Sequence, residues 1–121
     1  MKDHRIAQIN ELIAQELGKI IIREIEFPEH AVVTITKVVT EGDLSKAAVY
    51  AAVRPDEAKD ACVRLLRKNG GQLQRLLIRA VSMNHVPRIA FRHYAGSAVE
   101  KQEREEHEME HVLDLIKEDK I

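Results

Sequence analysis

The chain has no tryptophan, one cysteine, and only two tyrosines and two phenylalanines in 121 residues. So few aromatic rings argue against a module whose affinity comes mainly from stacking on nucleobases. A single cysteine, Cys62, excludes an internal disulfide and any cysteine-rich zinc site, and it fits a reducing cytosol. Cys62 stands at an apolar helical position, where a buried structural thiol is expected rather than a nucleophile. No basic segment leading into an apolar run opens the chain, and no apolar stretch approaches membrane-spanning length. The chain therefore reads as a cytoplasmic protein without a membrane partner. Its length suits one domain able to bury its own core.

Acid is also missing, but only locally. The net charge of −1 conceals an uneven distribution. Residues 1–95 hold 15 Lys+Arg against 11 Asp+Glu, whereas residues 96–121 hold 4 against 9, a balance of +4 followed by −5. A basic body with an acidic tail is a signal for nucleic-acid partners. From Ala61 to Ala95 there are seven basic residues (Arg64, Arg67, Lys68, Arg75, Arg79, Arg88 and Arg92) and no Asp or Glu. Exposed helix faces normally intersperse acids among bases. This run therefore points to a surface that contacts phosphate. At its centre Asn69-Gly70-Gly71 interrupts a helical pattern, where a phosphodiester backbone could meet main-chain amides closely.

The periodicity gives an α-β-β-α-α-β order. Ile6, Ile9, Ile13, Leu17 and Ile20 predict a helix over about 4–25, closed by Pro28. Gly18 within it is expected to mark close packing against a sheet. Residues 32–40 and 45–54 alternate as strands joined by Glu41-Gly42-Asp43, hence antiparallel, with a bulge expected at Lys37. Asp56 is the expected cap of the next helix. Ala58, Ala61, Cys62, Leu65 and Leu66 form its apolar stripe, and Leu73, Leu76, Leu77 and Ala80 form that of the helix after the glycines. Residues 88–94 predict a third strand, with Ile89 and Phe91 inward and Arg88 and Arg92 on the other face. Residues 100–108 contain no apolar side chain and read as a solvated helix. Met109, Val112, Leu113 and Ile116 then make a short stripe able to dock.

Catalytic motifs are scarce. His107-Glu108-Met109-Glu110-His111 fits H-E-x-x-H, which on a helix sets two His on one face for zinc. Only ten residues follow it, and its surroundings are highly charged, so a metal-dependent hydrolase using His107 and His111 is the weaker alternative. Ser45, Ser82 and Ser97 lack a nucleophile-elbow context, and no phosphate-binding G-x-x-x-x-G-K-[ST] loop is present. His4, His30, His85 and His93 are scattered. No catalytic residue, resident metal or cofactor is expected.

The order of elements, with a glycine break between paired helices, resembles a type II KH domain. The KH G-x-x-G is absent; the break here is Asn69-Gly70-Gly71-Gln72. The combination resembles the ribosome-binding factor A family, in which an interhelical Ala-x-Gly kink replaces G-x-x-G, and Asn69 stands where that family has Ala. The resemblance covers about residues 5–95. It is carried by Arg5-Ile6, Glu16-Leu17, Ile22-Arg23-Glu24-Ile25 with Pro28, and Val33-Thr34-Ile35-Thr36-Lys37-Val38. Asp43-Leu44-Ser45, Ala47-Ala48-Val49-Tyr50, the kink, and Val86-Pro87-Arg88-Ile89-Ala90-Phe91 complete it.

The resemblance implies an α+β fold, a single KH-like domain over residues 1–95. Its three-stranded sheet would be covered on one face by helices; the charged helical tail over 96–121 is read from the residues alone, being longer and more charged than the family leads one to expect. The resemblance also implies a monomeric, non-catalytic RNA-binding factor that matters most at low temperature. Its partners would be 16S rRNA and its precursor within the 30S subunit, together with ribosomal proteins, and it would assist late maturation, including processing of the RNA 5′ end. The expected contact set is Lys46, Arg64, Arg67, Lys68, Asn69, Gly70, Gly71, Arg75, Arg79, Arg88 and Arg92. A KH-like module for other single-stranded RNA is a further alternative.

Overall fold

Isoleucine and leucine at three-and-four spacing build the first element, α1 (Lys2–Glu24). The structure, a computed structural model, describes residues 2–95. The expected tail over 96–121, with His107 and His111, lies outside the described residues. Ile9, Ile13, Leu17 and Ile20 are buried as their spacing predicts, and Ile21 and Ile25 join them. Ile22 lies off the stripe and remains 74% exposed. Gly18 does not mark a close approach, because a Cβ added there would meet nothing within 4 Å.

Strands β1 (Val32–Thr40) and β2 (Lys46–Arg54) pair antiparallel. Their register slips between Ile35 and Lys37, so the extra residue is Thr36, one place before the position expected. The bulge has a clear function in the fold. Val33 and Ile35 face the helices before it, and inserting one residue returns Val38 and Thr40 to the same face. Thr40, a buried polar residue, donates its hydroxyl proton to Asn10 Oδ1 on α1.

The connecting turn is longer than Glu41-Gly42-Asp43. Leu44 donates its amide to Glu41 O at 2.9 Å, and Glu41 N donates to Lys46 O at 2.8 Å. Asp43 Oδ1 accepts from Ser45 N at 3.0 Å and from Ser45 Oγ at 2.6 Å. These bonds hold Leu44 at φ 62°.

Strand β3 (Arg88–His93) lies parallel to β2, so the sheet is mixed and ordered β1-β2-β3. A parallel return needs a long crossover. Here it consists of a 3₁₀ turn (Asp56–Ala58) and two helices, α2 (Lys59–Lys68) and α3 (Gly70–Ala80). Asp56 does not cap α2. The Ala58 N–H closes the 3₁₀ turn on Pro55 O at 3.0 Å, which puts Asp56 inside the turn and makes Ala58 the capping residue. Within α2, Cys62, Val63 and Leu66 are buried while Ala61 is exposed. In α3, Leu73 and Leu77 are buried and Ala80 is exposed, its expected place taken by Val81.

All three helices pack on one face of the sheet, against Ala47, Val49, Ala51 and Phe91. On the second face Ala48, Tyr50 and Ala90 form a separate cluster, with Val39 and Tyr94 packed against it. Among the described residues that cluster contains strand residues and Tyr94 but no helix residue. No helix among the described residues is long and apolar enough to cross a membrane.

Candidate nucleic-acid interface

The break between α2 and α3 is built around Asn69. Its backbone N–H donates to Leu65 O at 3.1 Å, and its side-chain Nδ2 donates to the same oxygen at 2.8 Å. Both bonds close the last turn of α2 and satisfy a carbonyl that a helix end otherwise leaves open. The Asn69 carbonyl then accepts the first bond of α3, from Leu73 N at 3.0 Å. The amides of Gly70, Gly71 and Gln72 therefore precede the first intrahelical bond. No side chain caps them in the manner of an N-cap residue. A helix start of this kind, where the aligned peptide dipoles leave partial positive charge, favours anions.

The two glycines are not required by the chain's own packing. Neither has a positive φ, a Cβ on Gly70 would meet nothing within 4 Å, and one on Gly71 would meet only Arg75 Nη1 at 3.7 Å. Side chains are absent where the fold has room for them. On the two helices that meet here, Arg64, Arg67 and Lys68 of α2 and Arg75 and Arg79 of α3 are all exposed.

Two polar side chains fix the helices to the outer edge of β3. Arg67 Nε donates to Phe91 O at 3.1 Å. Gln74 Nε2 donates to Pro87 O at 3.0 Å, and Gln74 Oε1 accepts from Ile89 N at 2.8 Å. These bonds occupy edge groups that would otherwise offer a template for another strand. Gln72 adds a link to α1, donating to Glu24 Oε1 at 3.2 Å. Sequence reasoning missed Gln74 altogether. Its one available signal was a polar residue beside the apolar stripe of a helix preceding an edge strand.

The expected contact set divides between two faces. Arg64, Arg67, Lys68, Asn69, Gly70, Gly71, Arg75 and Arg79 belong to the paired helices. Lys46, Arg88 and Arg92 belong to the strands, on the face turned away from those helices. Lys46 is the register partner of Arg88, and Arg92 that of Tyr50 in the second cluster. Arg67, bonded to the edge of β3, stands where the two faces meet.

Nothing in this arrangement points to a nucleophile. Cys62 is fully buried, and burial pushes its thiol pKa up, which disfavours the thiolate. No group of three or more His, Cys, Asp or Glu comes together among the described residues. A shallow cavity of about 400 Å³ lies between α1 and the loop before β3, lined by Arg5, Leu12, Met83, Asn84 and His85 among others. It contains none of the expected contact residues.

Comparison with known proteins bears on the whole domain. The family model for ribosome-binding factor A matches residues 5–113. Ribosome-binding factor A of Halothermothrix orenii is 31% identical over 94 residues, covering 77% of each chain. That of Heliobacterium modesticaldum is 34% identical over 92 residues, covering 75% of this chain and 76% of the relative. The crystal structure of ribosome-binding factor A from Thermus thermophilus matches with a TM-score of 0.66 at 22% identity, over 75% of this chain and 98% of that one. A homology model of the Thermus thermophilus factor, fitted into a cryo-EM map of its 30S complex, matches with a TM-score of 0.59 at 24% identity, over 78% and 98% of the two chains. The fold is thus that of these structures, and the chain belongs to the ribosome-binding factor A family.

Proposed function

We propose that this protein is a non-catalytic assembly factor that binds 16S rRNA and its precursor within the free 30S subunit and assists its late maturation, including processing of the RNA 5′ end. One observation carries the RNA-binding part of the reading. Five exposed cations lie along the two helices that meet at Gly70, Arg75 among them beside Gly71, and the glycines leave space that the fold does not use. Arg64, Arg67, Lys68, Arg75 and Arg79 neutralise phosphates, and the Gly70-Gly71 main chain admits a phosphodiester at close range. The 30S partner is inferred from family membership and from the 30S complex of the Thermus thermophilus relative.

Phosphate contacts position a protein but carry no base sequence. Selectivity on this reading comes from RNA shape and from neighbouring ribosomal proteins. The protein acts as a cytoplasmic monomer, and its loss matters most at low temperature, where misfolded RNA rearranges slowly.

Gradient sedimentation of cell extract tests the proposal. Wild type is expected with free small subunits and absent from 70S ribosomes, while Arg75→Glu/Arg79→Glu stays at the top of the gradient. Wild type remaining at the top, away from every ribosomal particle, would overturn it. Cosedimentation with free RNA alone would favour a general single-stranded-RNA module.

A further inference from the structure

The shallow cavity between α1 and the loop before β3 lies at the other end of α3 from Gly70. Half-buried Leu12, Leu44 and Met83 make its apolar floor. Its rim is exposed and polar, with Arg5 on the α1 side and Ser82, Asn84 and His85 on the loop side. No Asp or Glu lines it. Among the described residues, the side chains of Arg5, Ser82 and Asn84 take no hydrogen bond or ion pair. Asp43 lies near enough to attract His85, but its Oδ1 already accepts two bonds from Ser45.

One wall is preformed. Leu44 stands at φ 62°, where a leucine is seldom found, and the bonds of the β1–β2 turn hold it there. From that position its side chain packs against the core and closes the cavity on the turn side.

The chemistry of the lining selects the occupant. Unstacked bases stack on guanidinium planes and imidazole rings, and their edges hydrogen-bond to protein polar groups. An amide and a hydroxyl each donate and accept, which matches the mixed edge of a base. The cavity, at about 400 Å³, is at the lower end of the roughly 300–1,000 Å³ of small-molecule sites. Such sites bury most of a free ligand. A shallow one with an exposed rim instead suits a group tethered to something bound elsewhere.

The RNA of the proposed function supplies that tether. From Gly70 to Ala80, α3 rises about 15 Å, and the loop of the cavity follows directly. Arg75 and Arg79 are exposed along that length. A strand that meets the Gly70-Gly71 main chain can therefore follow two cations to the cavity.

We propose, on the RNA reading above, that the cavity receives one unstacked base of the bound RNA, with Arg5 and His85 as its stacking planes and Ser82 and Asn84 hydrogen-bonded to its edge. Phosphates along α3 position the strand, and this end of the domain adds a contact that discriminates among bases. A single base leaves most of the affinity with phosphate, in keeping with the few aromatic rings of the chain.

Ultraviolet cross-linking of the full chain on purified free small subunits tests this. After digestion with trypsin and ribonuclease, a nucleotide adduct is expected on the peptide 80–88. Ser82→Glu/Asn84→Glu changes two exposed loop positions and sets carboxylates at the rim. It is expected to keep the melting temperature, to lose that adduct, and to bind subunits about tenfold more weakly, the order of effect of one stacked base. Asn84→Ala, which adds no charge, is expected to lower the same adduct. Subunit binding with nucleotide adducts elsewhere on the chain but none on 80–88 would overturn the cavity and leave the RNA reading standing. An adduct on 80–88 undiminished in the double variant would do the same. Wild type that binds no small subunit would overturn both.

Discussion

Asn69 closes α2 on Leu65 twice, through its backbone N–H at 3.1 Å and its side-chain amide at 2.8 Å. The side-chain bond is the part that a substitution can remove without touching the main chain. Asn69→Ala, which installs the residue expected at this position in the family, leaves Leu65 O with the backbone donor. It is expected to cost about 0.5–1.5 kcal/mol, the usual net value of one intramolecular hydrogen bond. Urea unfolding with an unchanged slope checks this. A cost near zero would mean that alanine's better helix propensity offsets the lost bond.

Glycine positions separate folding from binding. Gly18 sits in α1 with empty space around it, so Gly18→Ala is expected to stabilise by about 1 kcal/mol, raising the melting temperature by about 4–8 °C. Gly70→Ala meets no steric conflict either and is expected to stabilise by about 0.4–1 kcal/mol. The two differ on RNA. Gly18→Ala leaves affinity unchanged, whereas Gly70→Ala intrudes on the proposed phosphodiester approach and weakens binding about tenfold, equivalent to 1.4 kcal/mol. Thermal melts beside filter binding measure both. Equal affinities would remove the close-approach role of the glycine.

Arg75 and Arg79 are exposed on α3 one turn apart. Replacing both by Ala should leave stability within about 0.5 kcal/mol, as for surface positions generally. If each neutralises one phosphate, the slope of log affinity against log salt should fall by about 0.7–0.9 for each arginine lost. Binding measured across a salt series gives that slope. An unchanged slope would place the RNA elsewhere.

Gln74 joins α3 to the outer edge of β3 by two bonds. Gln74→Leu keeps the bulk and removes both, leaving the Ile89 amide and the Pro87 carbonyl without that partner. The expected loss is about 1–3 kcal/mol, the cost of leaving a buried polar group unsatisfied. Faster hydrogen exchange at Ile89, with little change at strand β1, would locate the effect at the edge.

These predictions also mark where sequence reasoning succeeded and failed. Element order and the bounds of β1 were legible, because β-branched alternation and three-and-four spacing reflect burial on a single face. The buried stripe of α2 was misplaced from Ala61 to Val63 because alanine reads as apolar on either side of a helix. Asp56 was misread as a cap because a 3₁₀ turn between strand and helix leaves no composition signature. The expected contact set was drawn up from charge and spacing alone, which do not show its division between two faces. Arg75 and Arg92 are close in sequence and both lie in an acid-free stretch, yet a helix crossover separates the surfaces that display them. The parallel pairing of β3, which creates that separation, follows from the crossover and not from any residue in the strand.

The β1–β2 turn sets two carboxyl groups against each other. At Asp43, the bonds from Ser45 hold the carboxyl below its ordinary value of 3.8. At Glu41, burial comes first and the nearby Asp43 second in pushing the carboxyl above its ordinary 4.5, with Lys46 opposing. A lowered folded-state pKa adds stability above the ordinary value that is lost as pH falls through the lowered one. A raised one does the reverse: between 4.5 and the raised value the folded state holds more protons than the unfolded, so stability falls as pH rises. Glu41→Gln removes only the second effect. Its urea midpoint, subtracted from that of wild type at each pH from 4 to 7, is expected to show wild type losing ground as pH rises through the Glu41 titration and then levelling. A difference that stays flat, or that favours wild type as pH rises, would mean that Lys46 and not burial governs this carboxyl.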